Sequence, residues 1–146
     1  MQIPTHALIA ITEAFIGNIS SRSWDNLPGF FAPDATWWIS GNAALLPPGF
    51  PCGDGLAKDR LPNLPGLMDQ FTHYEYKIVN IVGQDNRVMV EGQAIGDGPG
   101  ALHYVNNITS SYEFERPGKI VKVREYPDST EILWVMQQLQ NQSKST

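Results

Sequence analysis

Lys119-Ile-Val-Lys-Val-Arg-Glu-Tyr-Pro-Asp128 is the stretch on which the reading of this chain turns. Ile120 to Val123 has a strand pattern, and the strand delivers one carboxylate, Glu125, to its end. Side chains alternate faces along a strand, so Glu125 shares parity with Val121 and Val123. A carboxylate on an otherwise apolar face is costly as an anion, and its pKa is expected to rise. A carboxyl tuned in this way is a general acid/base near neutral pH that needs neither metal nor cofactor.

Three more strands precede this one. His73 to Gly83 turns at Gln84-Asp-Asn86, and Arg87 to Gly96 returns. Asp97-Gly-Pro-Gly100 turns again into a long strand, Ala101 to Glu115, and Arg116-Pro-Gly118 leads into Lys119 to Tyr126. Strands joined by Gly- and Asn-bearing turns form an antiparallel meander. After them, Asp128 and Glu131 frame a capped start for a helix through Leu139. Gln140 to Thr146 is a polar tail.

The first half is helical and irregular. Thr5 to Ser20 carries Leu8, Ile11, Phe15 and Ile19 as one apolar stripe, with Thr5 as N-cap. A short helix is expected at Ser23 to Phe31 and a strand at Ala35 to Ser40. Trp37 and Trp38 must then face opposite ways. Gly41 to Gly55 is dense in Gly and Pro and reads as a long loop, placed to act as a lid. Pro62 and Pro65 break the helical tendency of Leu56 to Phe71 into short pieces. Helices followed by a curved antiparallel sheet make an α+β fold, a single domain over residues 1–139. A sheet bent around one long helix leaves a cone whose mouth is a natural pocket.

Composition narrows the partners. A chain of 146 residues with net charge −5 and no basic cluster argues against nucleic acid and anionic membrane. The single Cys52 closes no internal disulfide, so a reducing, cytoplasmic setting is expected. No secretory pattern, transmembrane-length apolar run or metal-ligand spacing is evident.

Three segments carry a resemblance: Phe31-Ala-Pro-Asp-Ala-Thr-Trp-Trp-Ile-Ser-Gly41, Tyr104-Val-Asn106 and Gly118-Lys-Ile-Val-Lys-Val-Arg-Glu-Tyr-Pro-Asp128. With the element order, they resemble the SnoaL-like branch of the ketosteroid-isomerase and nuclear-transport-factor-2 superfamily. The resemblance implies a cone-shaped α+β barrel, its N-terminal helices packed in a strongly curved antiparallel sheet, and a homodimer. It leaves the reaction open, because the superfamily hosts isomerases, cyclases, epoxide hydrolases and non-catalytic binders. In SnoaL-like cyclases the base is a carboxylate followed by an aromatic, Pro and Asp, which falls on Glu125, Tyr126, Pro127 and Asp128 here. The histidine of those cyclases falls on Ser110. The ketosteroid-isomerase base falls on Ile39, its oxyanion tyrosine on Phe15 and its protonated Asp on Ser110, so that set is absent. The Asp-Arg-Asp relay of limonene-epoxide-hydrolase-like proteins is not visible as a motif.

If Ser110 faces the cavity, so do Tyr104, Asn106, Ile108, Tyr112 and Phe114, and His103, Val105, Asn107 and Thr109 face away. Glu125 is then the candidate base. Asn106, Tyr104 and Ser110 would hold the oxygen on which charge builds, and Trp37, Ile39, Tyr112 and Phe114 would shape the pocket. Each has a plainer reading: Glu125 paired to an arginine, Asn106 bonded to backbone, Tyr104 in core packing. Arg60 and Asp59 read as a solvated pair near the mouth. The expected function is a cofactor-free isomerase or cyclase of specialised metabolism, acting on an apolar polyketide- or terpenoid-like molecule. An epoxide hydrolase that activates water, or a binder without chemistry, stands as the alternative.

Overall fold

A computed structural model describes residues 3–115 and 117–144. The chain is α+β. Helix α1 (Thr5–Ser20) is followed by two single 3₁₀ turns, Trp24–Asn26 and Pro28–Phe30, and by strand β1 (Phe31–Ile39). A long loop leads to α2 (Ala57–Arg60), a 3₁₀ turn at Leu61–Asn63 and α3 (Leu64–Met68). Strands β2 (His73–Gln84), β3 (Arg87–Asp97), β4 (His103–Glu115) and β5 (Lys119–Tyr126) then run in succession into α4 (Ser129–Lys144). Pro62 and Pro65 sit at the first turns of the pieces they open, where a missing N–H costs nothing.

The five strands form one curled, unclosed sheet in the order β1-β5-β4-β3-β2. Strands β2 to β5 are the antiparallel meander. Strand β1 corrects the wholly antiparallel expectation, because it joins β5 in parallel. A parallel neighbour needs a long connection, and everything between Ser40 and Lys119 supplies it.

Alternation along β4 follows the expected faces. Tyr104, Asn106, Ile108, Ser110, Tyr112 and Phe114 are buried, while His103, Asn107 and Thr109 are exposed. His103 is held to Asp97 at 2.7 Å on the outer surface. On β5 the parity needs one correction. Phe114 pairs with Ile120 and Glu113 with Lys122, so Val121 has no partner on β4. This bulge turns Ile120 and Val123, not Val121, into the fully buried pair. Beyond the bulge the count holds, and Glu125 lies on the face of Val123. The turn expected at Arg116-Pro-Gly118 includes Arg116, which lies outside the described residues.

Helix α1 buries Leu8, Thr12, Phe15, Ile16 and Ile19, with Ile11 only half-buried. Thr12 is tolerated inside because its hydroxyl donates to the Leu8 carbonyl at 2.9 Å. Thr5 is not the N-cap: Pro4 holds that position, and the Thr5 hydroxyl donates instead to the Asp85 carbonyl at 3.2 Å. Phe15 meets Phe30, Phe31, Trp37 and Tyr112 edge-on, which fills the concave space beside α1 with aromatic rings. Asp128 caps α4 by accepting from the Thr130 N–H at 2.9 Å. The helix runs to Lys144, past the expected end at Leu139, and residues 145–146 lie outside the described residues. No described helix is long and apolar enough to cross a membrane.

Two glycines of β3 make room for rings lying across the sheet. A Cβ on Gly96 would sit 2.6 Å from the Phe71 ring, and one on Gly92 would sit 2.6 Å from the Tyr76 ring. Gly96→Ala is therefore expected to cost about 1–3 kcal/mol through overpacking. Gly17→Ala, in α1 with open space around it, is expected to gain about 0.5–1 kcal/mol. Urea denaturation midpoints measure both, and a neutral Gly96→Ala would contradict this packing.

Candidate active site

A cavity of about 430 Å³ opens between the concave sheet, the long loop and α4. Leu64, Met68, Ile108, Val135, Met136 and Leu139 make most of its wall apolar. Pro48, Gly49, Phe50 and Pro51 of the loop also line it. Among the described residues, Glu125 is its one carboxylate.

Register places that carboxylate. Ile39 of β1 pairs with Glu125 on one side, and Ser110 of β4 pairs with it on the other. Trp37, two residues back on β1 and therefore on the same face, donates its indole N–H to Glu125 Oε1 at 2.8 Å. Trp38 points the other way, where Arg124 lies over its ring at 4.1 Å. Burial pushes the Glu125 carboxyl above its ordinary value, while the Trp37 hydrogen bond and the positive charge of Arg60 pull it partly back. Residue 125 is half-buried, and the cavity it lines is where its remaining exposure can meet a ligand.

Arg60 is not a solvated partner of Asp59. Its Nε donates to the Trp37 carbonyl at 2.8 Å and its Nη2 to the Gly53 carbonyl at 2.8 Å. The guanidinium thus straps the returning limb of the loop to β1, where Ile39 and Gly53 also exchange backbone hydrogen bonds. Gly55 leaves the space it needs, since a Cβ there would lie 2.5 Å from Arg60 Nε. Among the described residues, no ion pair within 4.0 Å is formed with Glu125.

Of the residues singled out in the sequence, Glu125, Tyr104, Trp37 and Ile39 line the cavity. Asn106, Ser110, Tyr112 and Phe114 are buried on the expected face but do not reach it. The Asn106 amide donates to the Tyr104 hydroxyl at 2.8 Å and to the Asp128 carbonyl at 3.1 Å, and its Oδ1 accepts from the Asp128 N–H at 2.9 Å. Its polar atoms are spent joining β4 to the start of α4, so it holds no ligand oxygen directly. The Ser110 hydroxyl donates to Tyr112 at 3.3 Å and is hydrogen-bonded to Tyr76 as well. Tyr112 meets Phe15 edge-on beside α1, and Phe114 is buried in the core.

Sequence reasoning passed over Tyr74, Phe71 and the strap made by Arg60. Alternation along His73–Gln84 puts Tyr74 on the buried face, so that residue was open to inference. Arg60 was not, because its partners are backbone carbonyls. Burial pushes the Tyr74 and Tyr104 phenols up, Tyr104 to about 12, so both stay protonated at neutral pH.

Comparison with known proteins agrees with this architecture. The SnoaL-like domain model matches residues 12–123. UPF0523 protein C of Dictyostelium discoideum is 28% identical over 130 residues, which is 84% of this chain and 81% of that protein. An NTF2-like protein from Burkholderia xenovorans superposes with a TM-score of 0.66 at 21% identity, covering 88% of this chain and 95% of the other. An LEH-like epoxide hydrolase of M. tuberculosis gives 0.67 at 19% identity, covering 88% and 87%. At such identities the structural likeness speaks for the fold alone.

The raised carboxyl has a consequence for stability. A group whose folded pKa lies above its unfolded value binds its proton more tightly when folded, so it costs stability as pH rises. That cost is absent well below the ordinary value of 4.5 and is complete above the folded pKa. Glu125→Gln, which carries no charge, is therefore expected to match wild type in acid and to exceed it increasingly as pH climbs from 4.5 toward neutrality. Denaturation midpoints across pH measure this, and a constant difference would contradict it.

Proposed function

Because the chain belongs to the SnoaL-like domain family, we propose that this cavity is the active site of a cofactor-independent isomerase or cyclase in which Glu125 moves the proton. The observation that carries the reading is the state of that carboxylate. It is shielded and held by one indole N–H, it has no ion pair among the described residues, and it faces a hollow with largely apolar walls. A carboxylate stabilised that little is a stronger base than one in water, and its acid form can return the proton to another atom of the substrate.

The wall composition suits an apolar small molecule of the polyketide or terpenoid kind. Trp37 and Ile39 set the floor beside the base, and the loop held by Arg60 keeps water from it. The working unit in this reading is a homodimer, the usual state of proteins of this type.

Proton abstraction can be followed without the natural substrate. β-Tetralone, an apolar bicyclic ketone with acidic C–H groups, loses those protons to deuterium in heavy water, as NMR shows. Wild-type protein is expected to speed that loss above the buffer rate, with a rate that rises with pH as Glu125 ionises. Glu125→Gln should slow the catalysed part by about a hundredfold or more. Equal rates for the two proteins would contradict the assignment of the base.

A further inference from the structure

We propose that Arg60 binds the ligand as well as strapping the loop, and that the ligand of this cavity is an apolar carboxylic acid whose carboxylate pairs with the guanidinium. The inference deepens the reading of the cavity as an active site and rests on it for the chemistry, though not for the binding.

Arg60 has more donors than the strap uses. A guanidinium carries five N–H groups in one plane. Nε serves the Trp37 carbonyl and Nη2 the Gly53 carbonyl, so three N–H groups, both of those on Nη1 among them, have no partner among the described residues. The bonded side is also the one packed on the loop, since a Cβ on Gly55 would meet Nε, Nη2 and Cζ first. Nη1 is the corner turned away from Gly55, and Arg60 lines the cavity. Two backbone bonds thus fix the fork before any ligand arrives, and its remaining N–H groups suit the oxygens of a carboxylate.

The charge is unmatched as well. Among the described residues, Arg60 is the one cationic side chain on the cavity wall, and it forms no ion pair within 4.0 Å. Asp54 and Asp59, its acidic neighbours in sequence, are exposed. Burial lowers the Arg60 pKa, and Glu125 opposes that shift more than Cys52 or Asp54 does. Glu125 becomes neutral, however, once it has taken a proton from substrate. A half-buried cation would then face largely apolar walls with no anion beside it, which is costly. A ligand that brings its own carboxylate keeps the cavity balanced through that step.

Trp37 relates the two groups. Its carbonyl holds Arg60 and its indole N–H holds Glu125. A carboxylate seated on Arg60 therefore brings the neighbouring carbons of the ligand toward Glu125. The apolar remainder lies against Ile108 of β4 and Ile132, Val135 and Met136 of α4.

β-Naphthylacetate and β-naphthylacetamide, alike in shape and different in charge, test this. The parent is Glu125→Gln, which is uncharged, as the base is once it has taken a proton. At neutral pH, calorimetry should show the acid binding this protein about tenfold or more tighter than the amide. Adding Arg60→Gln should abolish that preference and leave the amide largely unaffected. Should that variant not fold, carbon NMR of naphthylacetate labelled at its carboxyl reads the same contact in the parent. Beside a cation the bound acid should titrate below the free acid. An acid bound no more tightly than the amide, a preference that survives loss of the arginine, or a bound carboxyl titrating at or above the free value would overturn the proposal. Since the parent lacks the base, these failures are separate from failure of the exchange experiment.

Discussion

The 2.8 Å hydrogen bond from the Trp37 indole to Glu125 joins the two strands on which the site depends. Strand β1 reaches β5 by the one parallel pairing of the described sheet, with Ile39 opposite Glu125. That register puts an N–H of the right reach beside the carboxylate and nothing stronger. A guanidinium in the same place would anchor the carboxyl as an anion and weaken it as a base. Arg60 is close enough to be felt, and two of its N–H groups serve the carbonyls of Trp37 and Gly53. The side chain that holds the loop also draws the Glu125 carboxyl partly back toward its ordinary value, and burial outweighs it.

The concave face divides its work between filling and hollow. Beside α1, Phe15, Phe31, Trp37 and Tyr112 meet ring on ring, and no room for a ligand is needed. On the other side, the short pieces α2 and α3 and the loop enclose a hollow that Phe71, Tyr74 and Tyr104 border. Trp37 belongs to both halves. It packs against Phe15 with its ring and serves Glu125 with its nitrogen, so core order and site geometry are fixed by one residue.

Much of this could be read from residues alone, and the failures have physical causes. The faces of β4 follow from alternation, which held because no bulge interrupts its pairing with β3. Glu125 was placed on the right face through Val123, although Val121 was wrongly counted with it, since a bulge leaves no mark in a run of β-branched residues. The partners of Asn106 lie 22 residues away at Asp128, a tertiary contact that period and composition do not encode. The strap made by Arg60 is hidden for the same reason: backbone carbonyls are present everywhere in a chain. Tyr74 was visible as a buried strand residue.

The central claim is that residue 125 carries a carboxyl destabilised as an anion by its enclosure. Carbon NMR of protein labelled at the glutamate carboxyl, titrated over pH and assigned with Glu125→Gln, measures that state directly. The account predicts one glutamate resonance with a midpoint above 4.5, the ordinary value. A Glu125 midpoint at or below that value would contradict it.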